Sequence, residues 1–436
     1  MCHQRALSAP SGNALASVAA AAFVLLAGCG GGGGGTSAAP PAGSGSGATG
    51  GAPAAANAQL QLPAGFSATV IANVSGAREL AALPDGDLLI GTLGSTIAIV
   101  RGAEGAGAAT AAVTFATVAD DRAASVVYAP DGNVYAGSDH AVWRIGYTAG
   151  AAAAGPITQI ASVRTGPISP TSDGDVHLTT SVAVAGTVLY AGVGSSCDAC
   201  TEVDPTRASI QQMALDGSGM TVKARNIRNA IALAVDPATG AVWAGGAGQD
   251  KLAFGHPYET LDAVNARGGI ADYGWPNCYE DAVPVAGTAG SCTTMTVPAI
   301  AMPAYATLIG ASFYPAGQTG AYTFPAAYRG GLFVSMHGSW HTTPAGLSAA
   351  QPQVAYIPFS GGQPAAAVHW SDPTAQWQPF FYGFGTTAAN RIGRPTGVAV
   401  GAQGSLFVAD DATGNIYRIR PLATSAQTAN RQPASH

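Results

Sequence analysis

Short apolar segments separated by tight turns recur along most of the chain. Val, Ile, Leu, Ala and Tyr dominate these segments, and a turn containing glycine joins each pair, which is typical of β-hairpins. The turns are spaced by roughly 50 residues at first, and a period of this length indicates repeated four-stranded units. The hairpins are Leu80–Val100, Val126–Ile145, Ser181–Val193, Ile231–Gly245, Ser312–Met336 and Gly397–Ile419.

Six such hairpins predict an all-β protein that folds as a six-bladed β-propeller. We expect the propeller to span residues 59–422, with a long insertion from Gln249 to Ala311. The body contains no amphipathic pattern long enough for a helix of three or more turns. A pair of β-sandwiches is the structural alternative.

The N-terminal segment is typical of an exported protein. An apolar run from Ala14 to Ala27 follows Arg5 and is too short to span a bilayer, which predicts a signal peptide over residues 1–28. The run leads into Leu26-Ala-Gly-Cys29, which resembles the lipobox of bacterial lipoproteins. We therefore expect a lipid on Cys29 and a protein anchored in the bacterial cell envelope, at its periplasmic or surface face. An ordinary secretory signal with a chance cysteine is the alternative.

Both ends of the predicted propeller carry polar, low-complexity sequence. Residues 29–58 consist almost wholly of Gly, Ala, Ser, Thr and Pro after the cysteine, so they predict a disordered tether. Residues 423–436 predict a disordered tail. Net charge is −6 and no block of basic residues occurs, which argues against nucleic-acid binding.

Four cysteines remain in the predicted mature body, an even number that suits an oxidising compartment. Local pairing, Cys197 with Cys200 and Cys278 with Cys292, is the simplest of three connectivities. A redox or zinc motif at Cys197-x-x-Cys200 is the alternative. No βαβ pattern and no second Cys/His pair accompanies it.

Several motifs in the body resemble those of soluble sugar dehydrogenases that use pyrroloquinoline quinone (PQQ), in particular the sorbosone-dehydrogenase-like branch. The resemblance covers nearly the whole body, from Leu62-Pro-Ala-Gly-Phe66 to Ile416-Tyr-Arg-Ile419. Its most specific parts are Tyr273-Gly-Trp-Pro-Asn277-Cys278, Tyr328-Arg-Gly-Gly-Leu-Phe-Val334, His337-Gly-Ser-Trp340 and Gly393-Arg394-Pro395.

The resemblance implies a propeller that holds PQQ and calcium at its axis. His177 matches the family's general base, a role that a neutral imidazole can perform near neutral pH. Backbone carbonyls of Gly248 and Gln249 match the calcium-binding loop, and carbonyl oxygens suit this hard cation. The residues that the resemblance assigns to the cofactor are Arg228, Asn229, His337, Arg391 and Arg394.

The chain also departs from the family at three places. The better-known glucose enzymes use a lysine on the cofactor, whereas neither Lys223 nor Lys251 falls at that position and His337 occupies the region. Ser195-Ser196 replaces the acidic residue that would orient the base. The pair Arg228-Asn229 continues as Ala-Ile-Ala instead of Pro-x-Gly.

Three functions fit these observations. The first is a lipid-anchored oxidoreductase that oxidises a sugar or a sugar aldehyde with PQQ. The second is a calcium-dependent propeller lactonase, and the third is a non-catalytic binding or scaffold propeller, since a fold alone does not define an activity. Convergence of His177, Arg228, His337 and Arg394 on one axial site would favour the oxidoreductase.

Overall fold

The structure is a computed structural model that describes residues 54–106, 109–165, 177–250, 252–288 and 290–422. The predicted signal peptide, Cys29, most of the predicted tether and the C-terminal tail lie outside these residues. Among the described residues, no helix has the length and apolar character needed to cross a membrane.

In the described part of the chain, six sheets of at least four strands form the blades of a propeller. The innermost strand of each blade contacts the innermost strands of the two neighbouring blades, and these contacts close into a ring. The predicted fold, a six-bladed all-β propeller, is therefore confirmed. Helix within the described residues is limited to two 3-10 turns, at Val264–Ala266 and Ala326–Tyr328.

The chain enters at the outer edge of blade 6. Here β1 (Ala54–Ala55) pairs with β2 (Phe66–Asn73), so the end of the predicted tether belongs to this sheet.

Blades 1 to 3 then follow in chain order. Blade 1 contains β3 (Ala77–Ala82), β4 (Leu88–Thr92), β5 (Thr96–Val100) and β6 (Val113–Thr117); blade 2 contains β7 (Ser125–Tyr128), β8 (Asn133–Gly137), β9 (Ala141–Gly146) and β10 (Ile157–Ser162); blade 3 contains β11 (Thr180–Ala185), β12 (Val188–Val193), β13 (Ser209–Ala214) and β14 (Thr221–Arg225).

Blades 4 to 6 carry the longer insertions. Blade 4 contains β15 (Ala230–Val235), β16 (Val242–Gly246), β17 (Glu259–Ala263) and, after an insertion with β18 (Ala271–Asp272), β19 (Cys278–Tyr279) and β20 (Val283–Pro284), β21 (Ile300–Met302). Blade 5 contains β22 (Leu308–Phe313), β23 (Leu332–Met336), β24 (Gln353–Ile357) and, after the hairpin of β25 (Phe359–Ser360) and β26 (Gln363–Pro364), β27 (Gln378–Phe381). Blade 6 contains β28 (Pro395–Val400), β29 (Leu406–Asp410) and β30 (Asn415–Pro421), together with β2.

The ring is closed by strands from the two ends of the described chain. β2 pairs antiparallel with β30 from Phe66 opposite Pro421 to Asn73 opposite Asn415. This pairing completes blade 6 from both ends of the described chain and covers the edge of β30 that would otherwise lie open. The aromatic cluster between blades 5 and 6 packs behind this pairing, with the Phe66 ring 4.7 Å from that of Phe324.

The turns that mark the sequence repeat all join the innermost strand of a blade to its second strand. Their glycines have φ between 61° and 92°, a region in which a side chain would strain the backbone. This shared conformation explains why the repeat is visible in the sequence. The turn glycines are Gly86, Gly132, Gly186, Gly240, Gly330 and Gly404.

One face of the propeller collects the segments that precede innermost strands and those that follow second strands. In each antiparallel pair the start of the innermost strand lies opposite the end of the second, as with Thr180 and Val193 or Ala230 and Gly246. We call this face the upper face. Loops at the end of such a scaffold can carry chemistry without disturbing the packed blades.

Candidate active site

His177 lies on the upper face, three residues before β11. Its amide donates to the carbonyl of Ser195 at 3.1 Å, and its Nδ1 lies 2.9 Å from the Ser195 hydroxyl. Gly194 lies between His177 and Asn229, and a Cβ at this glycine would collide with both side chains. The missing side chain therefore lets His177 and Asn229, which belong to neighbouring blades, share one site.

Arg228 is buried beside this site and is fixed by two carboxylates. Its Nη2 lies 3.0 Å from Asp198 Oδ1 and 3.2 Å from Asp250 Oδ2. The Asp250 amide also donates to Asp198 Oδ1 at 2.7 Å. We call His177, Ser195, Asn229, Arg228, Asp198 and Asp250 the His177 cluster.

His341 extends this cluster into blade 5, and sequence reasoning missed it. Its Nε2 lies 3.2 Å from Asp250 Oδ1, and its ring stacks on Trp340 at 3.8 Å and faces Tyr305 at 4.2 Å. The available signal was its position directly after His337-Gly-Ser-Trp340. The resemblance assigned His337 to the cofactor site, and nothing in the sequence marks His341, four residues later, as a second site residue.

The Trp275 loop supports the His177 cluster from below. Trp275 is buried, packs on Cys197 and Cys200, and donates its indole N–H to the Asp198 carbonyl at 3.1 Å. It therefore acts as a packing and anchoring residue in this structure. Both local disulfides form, with Cα–Cα distances of 6.0 Å for Cys197–Cys200 and 5.8 Å for Cys278–Cys292.

Gly248 and Gln249 line a cavity of blade 4 that Arg228 and Asn229 also border. The Gly248 amide donates to Glu259 at 2.7 Å, which fixes the start of this loop. Burial raises the pKa of Glu259 to about 8, and the amide hydrogen bonds and the charge of Arg228 only partly oppose this shift.

A metal held by side chains finds little support among the described residues. The one cluster of suitable side chains there is Cys197, Cys200 and Glu202. Its two sulfur atoms are bonded to each other and so are not thiolate ligands. Backbone carbonyls, such as those of Gly248 and Gln249, are a second type of oxygen donor beside this cavity.

His337 lies across the upper face, directly after β23. It is 8% exposed, and its Nε2 donates to Asp411 at 2.9 Å. Burial lowers the pKa of His337 to about 4, although the Asp411 hydrogen bond opposes this shift. Burial alone would raise the pKa of Asp411, but the His337 hydrogen bond and the charge of Arg78, 2.8 Å away, lower it to about 2.

Arg394 completes this second group, which we call the His337 cluster: His337, Asp411, Arg78 and Arg394. Arg394 donates to the carbonyls of His337 at 3.0 Å and Gly338 at 2.8 Å. Arg391 binds next to it, donating to the Ser339 carbonyl at 2.8 Å. Within the described part of the chain, its buried Nε has no hydrogen-bond partner.

The residues chosen from the sequence therefore lie on one face but in two groups. His177, Arg228 and Asn229 meet in the His177 cluster, with Gly248 and Gln249 beside them. His337 and Arg394 meet in the His337 cluster, next to Arg391. The segment from His337 to His341 joins the two groups, because its first residue binds Asp411 and its last binds Asp250.

A family model described as TrAA12-like matches residues 60–421. No curated protein matches the chain. Among solved structures, the holo PQQ domain of pyranose dehydrogenase from Coprinopsis cinerea is 17% identical, with 83% of this chain and 97% of that chain covered and a TM-score of 0.66.

Two further solved structures share the fold. The calcium structure of the Trichoderma reesei carbohydrate-active enzyme of family AA12 is 18% identical, covers 85% of this chain and 97% of that chain, and gives a TM-score of 0.66. The soluble aldose sugar dehydrogenase from Escherichia coli is 15% identical. The match covers 82% of this chain and 100% of that chain, with a TM-score of 0.54. At these identities the likeness establishes a common propeller fold.

Proposed function

The chain belongs to the TrAA12-like family, and from this premise we propose that it is an oxidoreductase that oxidises a sugar or a sugar aldehyde with PQQ and calcium. The observation that carries the proposal is that His177, Arg228, His337 and Arg394, from blades 3 to 6, lie on one face, in two groups that the segment from His337 to His341 joins. The similar structures named for a PQQ domain and for bound calcium support this choice of cofactors.

The polar groups of the upper face suit a polyanionic cofactor. Arg394 is held by two carbonyl oxygens, so its positive charge is not cancelled by its direct hydrogen-bond partners. In the described residues, Arg391 Nε and Asn229 Oδ1 are buried polar atoms without partners, and burial without a partner is costly. A ligand with carboxylate and ring N–H groups would satisfy both types of atom.

Arg228 has a different part in this proposal from the one that the sequence suggested. Asp198 and Asp250 already neutralise its guanidinium. We therefore assign the attraction of the cofactor's carboxylates mainly to Arg391 and Arg394. Arg228 then holds the loops that carry Asn229 and the Gly248–Gln249 carbonyls.

PQQ, when bound, supplies a quinone that accepts a hydride from the oxidised carbon. His177 takes the hydroxyl proton of the sugar, as a neutral imidazole does near neutral pH. Asn229 flanks His177 across Gly194 and is placed to orient the substrate or the cofactor. Gly248 and Gln249 would offer their carbonyl oxygens to calcium.

Trp340 is the proposed contact for the sugar ring. It is 72% exposed on the upper face, and its ring is supported from behind by His341. An exposed and rigid indole offers an apolar surface to the C–H face of a sugar, while the sugar hydroxyls stay in contact with water.

Export and lipid anchoring at Cys29 form a separate part of the proposal. They rest on the apolar run and Leu26-Ala-Gly-Cys29 in the sequence. Mass spectrometry of the protein from a bacterial envelope fraction tests them. An acylated N-terminal Cys29 is expected, and an unmodified cysteine or cleavage elsewhere would contradict this part alone.

A dye-linked dehydrogenase assay on the purified full-length protein tests the enzymatic proposal. Sugars and sugar aldehydes should reduce the dye only when both PQQ and calcium are added. A parallel absorbance titration should show PQQ binding. A stable, folded protein that binds no PQQ would contradict the proposal and favour the scaffold function.

A further inference from the structure

Ser195 supplies both of the contacts described for Nδ1 of the His177 imidazole. His177 Nδ1 lies 2.9 Å from the Ser195 hydroxyl and 3.3 Å from the Ser195 carbonyl oxygen. The Ser195 carbonyl also accepts the His177 amide at 3.1 Å. Ser195 occupies the place where the family resemblance leads one to expect an orienting carboxylate.

The Cys197 carbonyl, the second partner of the Ser195 hydroxyl, determines which atom donates in the contact between this hydroxyl and His177 Nδ1. The Ser195 hydroxyl has one proton, and it donates this proton to the Cys197 carbonyl at 2.6 Å. Towards His177 the hydroxyl therefore acts as an acceptor, as does the Ser195 carbonyl. Both contacts require a proton on Nδ1, so in the neutral imidazole the lone pair lies on Nε2.

The chain fixes this serine firmly. Ser195 is fully buried, and its amide donates to the Arg228 carbonyl at 2.7 Å. The acceptor of its proton, Cys197, is buried at 1% exposure, bonded to Cys200 and packed on Trp275. The hydroxyl thus has little freedom to turn its proton towards His177.

We propose that Ser195 is the positioning residue of the base: it fixes His177 in the Nδ1–H tautomer through a neutral hydroxyl instead of a carboxylate. The inference rests on the proposed function of His177. At Nδ1, a neutral partner orients the ring without itself stabilising the imidazolium, whereas a carboxylate at the same atom would favour it. The charged side chains around this pair in the described residues include Arg207, which donates to the His177 carbonyl, and Arg228 and Asp198.

The tautomer can be measured without cofactor or substrate. In protein labelled with ¹⁵N at its 8 histidines, the His177 signals are assigned by their loss in His177→Gln. A ¹H–¹⁵N correlation spectrum above the titration range of the ring should show Nδ1 protonated and Nε2 unprotonated. Protonation at Nε2 would overturn the inference, whatever the activity of the protein.

In Ser195→Ala the preference for Nδ1–H should weaken or disappear, and an unchanged tautomer would contradict the role of the hydroxyl.

Kinetics of the loaded enzyme provide a second readout. Ser195→Ala should lower kcat by about 10- to 100-fold, the range known for partners that orient metal-bound histidines, with a smaller change in KM. The matched control is Ser209→Ala, which removes another buried serine of blade 3 whose hydroxyl donates to a carbonyl at 2.6 Å, that of Thr206. Equal losses in the two variants would overturn the positioning role.

The sharpest variant is Ser195→Asp, which places a carboxylate against Nδ1. The acid limb of the kcat/KM profile should then move up by about 1 to 3 pH units, because an adjacent negative charge favours the protonated ring. A limb that stays in place, in a variant with the wild-type melting temperature, would contradict the proposal. If the wild-type protein oxidises no sugar, the tautomer experiment still decides the inference about Ser195.

Discussion

Two histidines on the same face of this propeller are held in opposite ways. His177 is half-buried, and its Nδ1 faces a hydroxyl and a carbonyl, both neutral. His337 is nearly fully buried and donates to Asp411, which is also paired with Arg78. Neutral acceptors at Nδ1 orient the His177 ring without stabilising its protonated form as a carboxylate would. Protonation of the second ring disturbs a buried network of charges.

Arg228 and Arg394, one arginine from each cluster, show the reverse arrangement. Arg228, in the His177 cluster, is neutralised by two aspartates, whereas Arg394, in the His337 cluster, contacts carbonyl oxygens. The His177 cluster thus combines a histidine whose Nδ1 faces neutral groups with a paired cation, Arg228. The His337 cluster combines a histidine fixed by the Asp411–Arg78 pair with a second cation, Arg394, that is held by carbonyl oxygens. This contrast suggests proton transfer on one side of the face and anion binding on the other.

The most severe test of the contrast is the removal of each histidine. His177→Ala should lower kcat by about 10²- to 10⁴-fold, the usual contribution of a positioned base, and leave PQQ affinity nearly intact. Steady-state kinetics and a PQQ titration measure both quantities. His337→Gln, which keeps an N–H donor for Asp411, should retain much more of the turnover. Similar kcat losses in both variants would remove the distinction between the clusters.

Arg228→Ala tests whether Arg228 is a structural residue. It removes the cation that Asp198 and Asp250 share, and breaking a buried pair in this way costs about 3–5 kcal/mol of unfolding free energy. The control is Arg225→Ala, because Arg225 also pairs with an aspartate, Asp272, but its own side chain is 57% exposed. Exposed pairs contribute about 0–1 kcal/mol. Denaturant titration of both variants measures the difference, and equal effects would contradict this assignment.

The His337 cluster also predicts a dependence of stability on pH. The pKa of His337 is about 4 in the folded protein, against 6.5 for an unperturbed imidazole. Between these pH values the unfolded chain binds more protons, so stability falls as pH decreases from about 6.5 to about 4, by roughly 3 kcal/mol in all. Unfolding free energies measured across this range should show a flatter dependence in His337→Gln. An identical slope would mean that other groups cause the loss.

The repeat of hairpins was enough to predict the fold, because each turn requires a glycine with positive φ and each blade reuses that turn. The site was harder to predict, for a physical reason. Ser195 appeared to be a lost carboxylate, since only the folded chain shows its proton bound to Cys197 and its lone pair facing His177. The pairing of Arg228 with Asp198 and Asp250, and of Asp250 with His341, joins three blades and leaves no local pattern in the sequence.

The smallest expected effect concerns Trp340, which lies between the two clusters. Its neighbour His341 binds Asp250 of the His177 cluster, while His337 on the other side binds Asp411. If the exposed indole contacts the sugar with the strength of an aromatic pair, about 0.5–1.5 kcal/mol, Trp340→Ala should raise KM by roughly 2- to 10-fold. It should leave kcat and PQQ binding nearly unchanged, because neither cluster loses a hydrogen bond.

Two control variants accompany this one. Trp340→Phe keeps a ring and should restore most of the affinity. Leu347→Ala removes a nearby apolar side chain that is 41% exposed, and so controls for the loss of apolar surface. A fall in kcat instead of a rise in KM would place Trp340 in the support of His341, and the sugar contact would have to be sought elsewhere on the upper face.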